Sequence, residues 1–165
     1  MFRPPALPFW SPVTLLATWF GSGLLRKAPG TFGSLAALPF AALILWAGGG
    51  LALLAAAALA FGLGLAVSGP YARAGGDPDP GAVVIDEVAG QWLTLVPLCL
   101  TVESFVLGFL LFRFFDIAKL WPISLAERRL SGALGIMADD IVAGLFAAAA
   151  AYGLLAAFGA QPCFP

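Results

Sequence analysis

The stretch Ser34–Val67, SLAALPFAALILWAGGGLALLAAAALAFGLGLAV, contains two apolar runs separated by Gly48, Gly49 and Gly50. Each run is longer than a typical strand and is rich in Ala and Leu rather than Val and Ile, which favours helices over strands. Consecutive glycines interrupt a helix because glycine loses the most backbone entropy when it is ordered. The stretch therefore predicts two apolar helices joined by a glycine turn.

Three further apolar runs follow, at Val88–Leu100, Ser104–Phe115 and Ile141–Phe158. The chain is 61% apolar and only 10% charged, against about 25% charged residues in ordinary soluble domains. We therefore expect an all-α fold, a polytopic membrane helix bundle with about five short transmembrane helices. A four-span alternative, with 91–112 as one helix broken at Pro97, stays open.

Charge placement predicts the orientation of these helices. All eight basic residues lie in Met1–Lys27, Ser68–Glu87 or Arg113–Asp140, together with every acidic residue except Glu103. Five spans would place these three segments on one side of the membrane, and the positive-inside rule assigns that side to the cytoplasm. The N-terminus is then cytoplasmic.

The length of 165 residues predicts one domain over residues 1–165, with a peripheral arm at 1–20 and a peripheral tail at 159–165. We expect the proline-containing arm to be retained rather than cleaved as a signal peptide. Cys99 and Cys163 lie far apart in apolar surroundings, so no disulfide is expected. The absence of histidine excludes Ser-His-Asp catalysis and His-ligated zinc. A net charge of −1 without a basic run disfavours nucleic acid.

A glycine-rich segment with two cations precedes the first apolar run. Glycines allow backbone N–H groups to turn toward an anion, and the start of a helix adds a positive dipole end. The alternative is a helix cap from a hydroxyl group, with the two cations serving as membrane anchors. The candidate phosphate-binding residues are Arg26, Lys27, Gly30, Thr31, Gly33 and Ser34.

Two pairs of adjacent acids stand directly before apolar runs. Adjacent carboxylates repel each other unless a cation lies between them or one of them takes up a proton. A simpler alternative is that they stabilise the start of a helix through its dipole. Because the chain has no histidine, ligation by oxygen atoms points to Mg²⁺ rather than zinc. The expected ligands are Asp86, Glu87, Asp139 and Asp140.

Arg113, Asp116 and Lys119 are spaced so that they share one face of a helix. Together with Mg²⁺ and a phosphate loop, they indicate phosphoryl chemistry. We expect Arg113 and Lys119 to bind the phosphate and Asp116 to be a further ligand or to orient water. Direct attack by water and an aspartyl-phosphate intermediate both stay open. The candidate catalytic residues are Asp86, Asp116, Asp140 and Lys119.

Four segments resemble, in order, the signature blocks of the phosphatidylglycerophosphatase A family: Gly21–Pro39, Asp79–Gly90, Phe112–Ile123 and Gly135–Gly144. The resemblance implies a Mg²⁺-dependent, multi-pass phosphatase of the bacterial inner membrane with its active site facing the cytoplasm. It implies hydrolysis of phosphatidylglycerophosphate to phosphatidylglycerol and phosphate in phospholipid biosynthesis. One departure is Leu120, where the family usually has proline.

The alternative function is an ion- or proton-coupled membrane transporter that uses the interfacial acidic cluster. Transporters place such acids near the middle of the bilayer, commonly on broken helices. In this chain the acids stand at the ends of apolar runs. The position of the acids therefore favours the phosphatase.

Overall fold

The computed structural model describes residues 7–118, 121, 130–158 and 163. Within these residues every regular element is helical, which confirms the predicted all-α class. The elements are α1 (Pro12–Ala17), a short 3-10 turn (Ser22–Leu24), α2 (Pro29–Gly75), α3 (Ile85–Leu95), α4 (Val102–Ala118) and α5 (Gly132–Ala157).

Helix α2 folds back on itself at the glycine turn predicted above. Gly49 has φ 68° and ψ −167°, which is not helical. A Cβ on Gly33 would lie 2.6 Å from Cβ of Val84, and a Cβ on Gly64 would lie 3.3 Å from Cγ2 of Ile85. In a straight helix these two glycines would be about 46 Å apart, at about 1.5 Å per residue. The halves before and after Gly49 are therefore two arms that pack against the same part of α3.

Helix α3 lies at the centre of the bundle, in contact with α2, α4 and α5. Val88, Ala89 and Leu95 on this helix are fully buried. α3 approaches α5 through glycines, since a Cβ on Gly144 would lie only 2.6 Å from the carbonyl oxygen of Gly90. Small residues permit such close backbone contact between apolar helices.

The bundle has two distinct ends. At one end α2, α3 and α5 begin and the second arm of α2 and α4 finish. The opposite end holds Gly49, the connection from α3 to α4, and Cys163, which forms a disulfide with Cys99 at a Cα–Cα distance of 4.9 Å. The expectation of no disulfide is wrong. Because α3 and α5 run side by side in the same direction, they bring together cysteines that are 64 residues apart.

Two helices, α2 and α5, are long and apolar enough to cross a membrane, with mean hydropathies of 2.3 and 1.8. Large apolar side chains also face outward, such as Trp46 (76% exposed) and Leu59 (64% exposed). These features point to a membrane protein. Helices α3 and α4 have 11 and 17 residues, so the count of five spans stays a prediction.

Candidate metal and phosphate site

Three carboxylates from two helices meet at the end of the bundle where α3 begins. Asp86 and Glu87 lie in the first turn of α3, and Asp140 lies on α5. One carboxylate oxygen from each lies within 4.8 Å of the others. Asp86 is 9% exposed and Asp140 is 4% exposed. The close contact between Gly90 and Gly144 holds the two helices near enough for this cluster to form.

The three buried carboxylates have little positive charge near them. Burial raises the pKa of Asp86 well above its usual range, and the neighbouring Glu87 raises it further. Burial also raises the pKa of Glu87. Asp86 and Glu87 stand directly before the apolar run Val88–Leu100. Oε2 of Glu87 is buried without a hydrogen-bond partner among the described residues. An oxygen-only donor set with an unpartnered carboxylate oxygen fits Mg²⁺.

Arg113 connects α4 to this cluster. Its Nη1 lies 2.5 Å from Oδ2 of Asp116 and 3.9 Å from Oε1 of Glu87. The same nitrogen lies 3.5 Å from Oγ of Ser34. Asp116 in turn interacts with the side chain of Asp140. The guanidinium therefore neutralises only part of the acidic charge while it fixes the relative positions of three helices.

The start of α2 closes the other side of the cluster. Gly30 is buried against Glu87, and a Cβ at this position would overlap Oε1 of that side chain. The hydroxyl of Ser34 donates a hydrogen bond of 2.9 Å to the carbonyl oxygen of Gly30. Gly33 packs against Val84 rather than facing the carboxylates. Of the predicted phosphate residues, Gly30 and Thr31 therefore face the site most directly.

A cavity of about 620 Å³, which we call the acidic cavity, opens above these residues. Thr31 and the predicted site residues at the starts of α3 and α5 and the end of α4 line it. Arg26 and Lys27 are exposed and do not line it. Lys119 lies outside the described residues. The charged lining side chains are Asp79, Asp86, Glu87, Arg113, Asp116, Asp139 and Asp140.

The carboxylates lie at the floor of this cavity. Gly64 is level with Ile85 at the start of α3, and α2 continues for another 11 residues to Gly75, a rise of about 16 Å. Helix α5 begins at Gly132, eight residues before Asp140, which gives a wall of about 12 Å. The described ends of α2 and α5 therefore rise above the acids on two sides of the acidic cavity.

Two polar residues at the site were missed by the sequence reasoning. Asp79 lines the acidic cavity from the loop between α2 and α3. Gln91 is fully buried one turn after Glu87, and both its amide atoms lack a partner among the described residues. The spacing of four residues from Glu87 was the available signal, since it places Gln91 on the same face of α3.

Comparisons with known proteins show which family this chain resembles. The family model described as phosphatidylglycerophosphatase A matches residues 15–155. Phosphatidylglycerophosphatase A of Escherichia coli (strain K12) is 41% identical over 143 residues, which cover 86% of this chain and 83% of that protein.

Two further relatives match over similar lengths. Phosphatidylglycerophosphatase A of Haemophilus influenzae is 38% identical over 138 residues, 83% of this chain and 85% of that protein. A Bacteroides thetaiotaomicron protein provisionally named a phosphatidylinositol-3-phosphatase is 34% identical over 160 residues, 88% of this chain and 92% of that protein. No solved structure is significantly similar to this chain. The matches to the family model and to these relatives show that the chain belongs to the phosphatidylglycerophosphatase A family.

Proposed function

We propose that this protein is a Mg²⁺-dependent membrane phosphatase that hydrolyses phosphatidylglycerophosphate to phosphatidylglycerol and phosphate in bacterial phospholipid biosynthesis. The observation that carries the proposal is the convergence of Asp86, Glu87 and Asp140 within 4.8 Å beside Arg113. Family membership supports the substrate, since two relatives are named as phosphatidylglycerophosphatases. The alternative of an ion- or proton-coupled transporter finds no support among these relatives.

In this proposal Asp86, Glu87 and Asp140 hold Mg²⁺, with Asp139 beside them as a further ligand. Bound Mg²⁺ would polarise the phosphate and lower the pKa of the attacking water.

The remaining residues bind the substrate phosphate and orient water. Arg113 is close enough to the cluster to pair with a phosphate oxygen, and Thr31 offers a hydroxyl from the start of α2. Asp116 orients the water or accepts its proton, because Arg113 holds this carboxylate beside the cluster. Lys119 stays in the proposal as a second cation for the phosphate.

We propose further that the protein lies in the inner membrane as five spans, with the acidic cavity at the cytoplasmic face. The charged residues support this orientation. Among the residues that the structure describes, every charged residue except Glu103 lies at the cavity end of the bundle. The disulfide supports it independently. Cys99 and Cys163 lie at the opposite end, and disulfides persist in the oxidising periplasm rather than in the cytosol.

The proposal is tested by phosphate release from phosphatidylglycerophosphate in detergent micelles. We expect activity with Mg²⁺, loss of activity with a chelator, and recovery when Mg²⁺ is returned. Glu87→Gln should lower kcat at least about 100-fold, because it removes a charged metal ligand. Glu103→Gln makes the same chemical change at the opposite end of the bundle and should leave kcat unchanged. Full activity of the Glu87 variant, or equal loss in both variants, would contradict the assignment.

A separate measurement distinguishes the two chemical routes. With H₂¹⁸O and a single turnover, both routes put one labelled oxygen in the released phosphate, so trapping of a phosphorylated protein is the deciding readout. Direct attack by water predicts no covalently labelled protein after an acid quench of ³²P-labelled substrate. An aspartyl-phosphate at Asp86 or Asp140 predicts labelled protein that is lost in the corresponding Asp→Asn variant.

A further inference from the structure

A second cavity adjoins the acidic cavity, between the last turns of α2 and the first turns of α5. We call it the side groove; its volume is about 540 Å³. Pro78, Gly132 and Ile136 line both cavities, so the two share a wall. Of the residues that line only the side groove, Leu65 and Ala66 lie toward the centre of α2, and the charged residues Arg73 and Asp77 lie near its end and just beyond it.

Arg73 is the cation of the side groove. Its guanidinium lies over Gly69, where a Cβ would be 3.3 Å from Nη1 of Arg73. Among the described residues Arg73 makes no ion pair, whereas Arg113 contacts two carboxylates. Asp77 also lines the groove, beyond ion-pair distance of Arg73. An exposed guanidinium that pairs with no acid in the described part of the chain, beside a cavity, is suited to binding an anion.

The apolar half of the side groove leads from Arg73 toward the centre of α2. Leu65 and Ala66 lie about two turns before Arg73 on this helix. Ala66 is exposed, and α2 has a mean hydropathy of 2.3. A ligand that fills the groove would therefore present a negative charge at the Arg73 level and an apolar chain below it.

The proposed substrate has this pattern. Phosphatidylglycerophosphate carries a terminal phosphomonoester and, one glycerol away, a phosphodiester that joins the headgroup to diacylglycerol. We infer that Arg73 binds the phosphodiester and the side groove holds an acyl chain while the terminal phosphate occupies the acidic cavity; this inference rests on the proposed function. Arg73 is then a specificity-determining residue for a lipid with two phosphates.

The test compares Arg73→Gln and Arg73→Lys with the unmodified full-length protein in mixed micelles. Arg73→Gln should raise the KM for phosphatidylglycerophosphate about tenfold, the effect of losing one charge-assisted hydrogen bond, while kcat stays within about twofold. Arg73→Lys should recover most of this loss. Phosphatidylglycerol, which keeps only the diester, should inhibit the Gln variant about tenfold more weakly. Inorganic phosphate, which has no diester, should inhibit all three proteins equally.

The outcomes separate the two proposals. An unmodified protein that releases no phosphate would overturn the proposed function. An active unmodified protein with an unchanged Arg73→Gln variant would overturn only the role of Arg73. A fall in kcat at constant KM, or weaker inhibition by inorganic phosphate, would place Arg73 at the acidic cavity instead and would also overturn the inference.

A second pair of variants tests the acyl chain. Ala66→Trp would fill the apolar half of the side groove, and Ala55→Trp is a matched control three turns earlier on nearly the same face of α2. Ala66→Trp should raise the KM for a dioleoyl substrate several-fold and leave a dihexanoyl substrate unaffected. Equal effects on both substrates, or equal effects of both variants, would contradict the assignment of this groove to an acyl chain.

Discussion

Gly30 shows how a single residue limits the geometry of the site. Its missing side chain leaves room for Oε1 of Glu87, and Nη1 of Arg113 would lie 3.2 Å from a Cβ there. Gly30→Ala should therefore displace Glu87 and lower activity about 10- to 100-fold, the usual cost of disturbing the shell around a metal.

The matched control is Gly62→Ala, because a Cβ at Gly62 meets no atom within 4 Å. It should leave activity unchanged and raise thermal stability slightly, since alanine favours the helix by about 1 kcal/mol over glycine. Phosphate release and the thermal midpoint in detergent measure both effects. Equal activity of the two alanine variants would show that Glu87 does not need its present position.

Arg113 contacts Asp116, Glu87 and Ser34 through one guanidinium nitrogen. A lysine keeps the charge but presents it as a single compact ammonium group. We expect Arg113→Lys to lower kcat about tenfold with little change in thermal midpoint. Arg113→Gln should lower kcat at least about 100-fold, because it removes a charge near the phosphate, and should also lower the midpoint by leaving two acids unpaired. Identical kinetics for the two variants would contradict the role given to the charge.

At the residue scale, the sequence predicted the acids better than it predicted the neutral polar groups. Asp86, Glu87 and Asp140 could be identified because carboxylates beside apolar helices require a partner. Gln91 was harder to identify, because its spacing of four residues from Glu87 places it on the same face of α3 but does not distinguish it from a core residue. The positive charges of Arg26 and Lys27 in a glycine-rich segment predict phosphate binding, but both side chains are exposed and do not line the acidic cavity.

Helices α3 and α5 depend on close contact to keep the acids together. A Cβ on Gly144 would lie 2.6 Å from the backbone oxygen of Gly90, so Gly144→Ala must push the helices apart. We expect this variant to lower both the thermal midpoint and the apparent affinity for Mg²⁺. Gly153→Ala on the same helix meets open space and should change neither. A titration of activity against Mg²⁺ concentration measures the affinity, and unchanged affinity in Gly144→Ala would contradict this coupling.

At the element scale, the sequence predicted the helices and the glycine turn because apolar length and glycine runs are local signals. It did not predict how the helices associate. The contact between Gly90 and Gly144 joins residues far apart in sequence, and small residues in apolar helices are too common to identify a particular pair. The disulfide between Cys99 and Cys163 was missed for the same reason.

At the scale of the whole molecule, the acidic cluster and the disulfide lie at opposite ends of the bundle. We expect Cys99 and Cys163 in spheroplasts to react with a membrane-impermeant maleimide only after treatment with an impermeant reductant. The reduced protein should keep its activity within about twofold, since the acidic cavity is distant from both thiols. Labelling that requires a permeabilised membrane would reverse the proposed orientation.

The segregation of charge was the whole-molecule feature that could be predicted from sequence. This prediction required only the positions of charged residues relative to the apolar runs. In the described part of the chain, every charged residue except Glu103 lies at the cavity end of the bundle. The depth of the cavity could not be predicted in this way. Depth follows from how far α2 and α5 extend past the start of α3, which depends on the vertical alignment of packed helices.

Helices α2 and α5 extend past the start of α3, so a lipid substrate would need a headgroup of a minimum length to reach the acids. A phosphate attached directly to diacylglycerol would stay at the level of the Arg73 guanidinium if its acyl chain filled the side groove, while the carboxylates lie on the floor of the acidic cavity. In the proposed substrate, the second glycerol would give the terminal phosphate the length to reach them. Selectivity among lipids would then arise from reach, before any hydrogen bond distinguishes one headgroup from another.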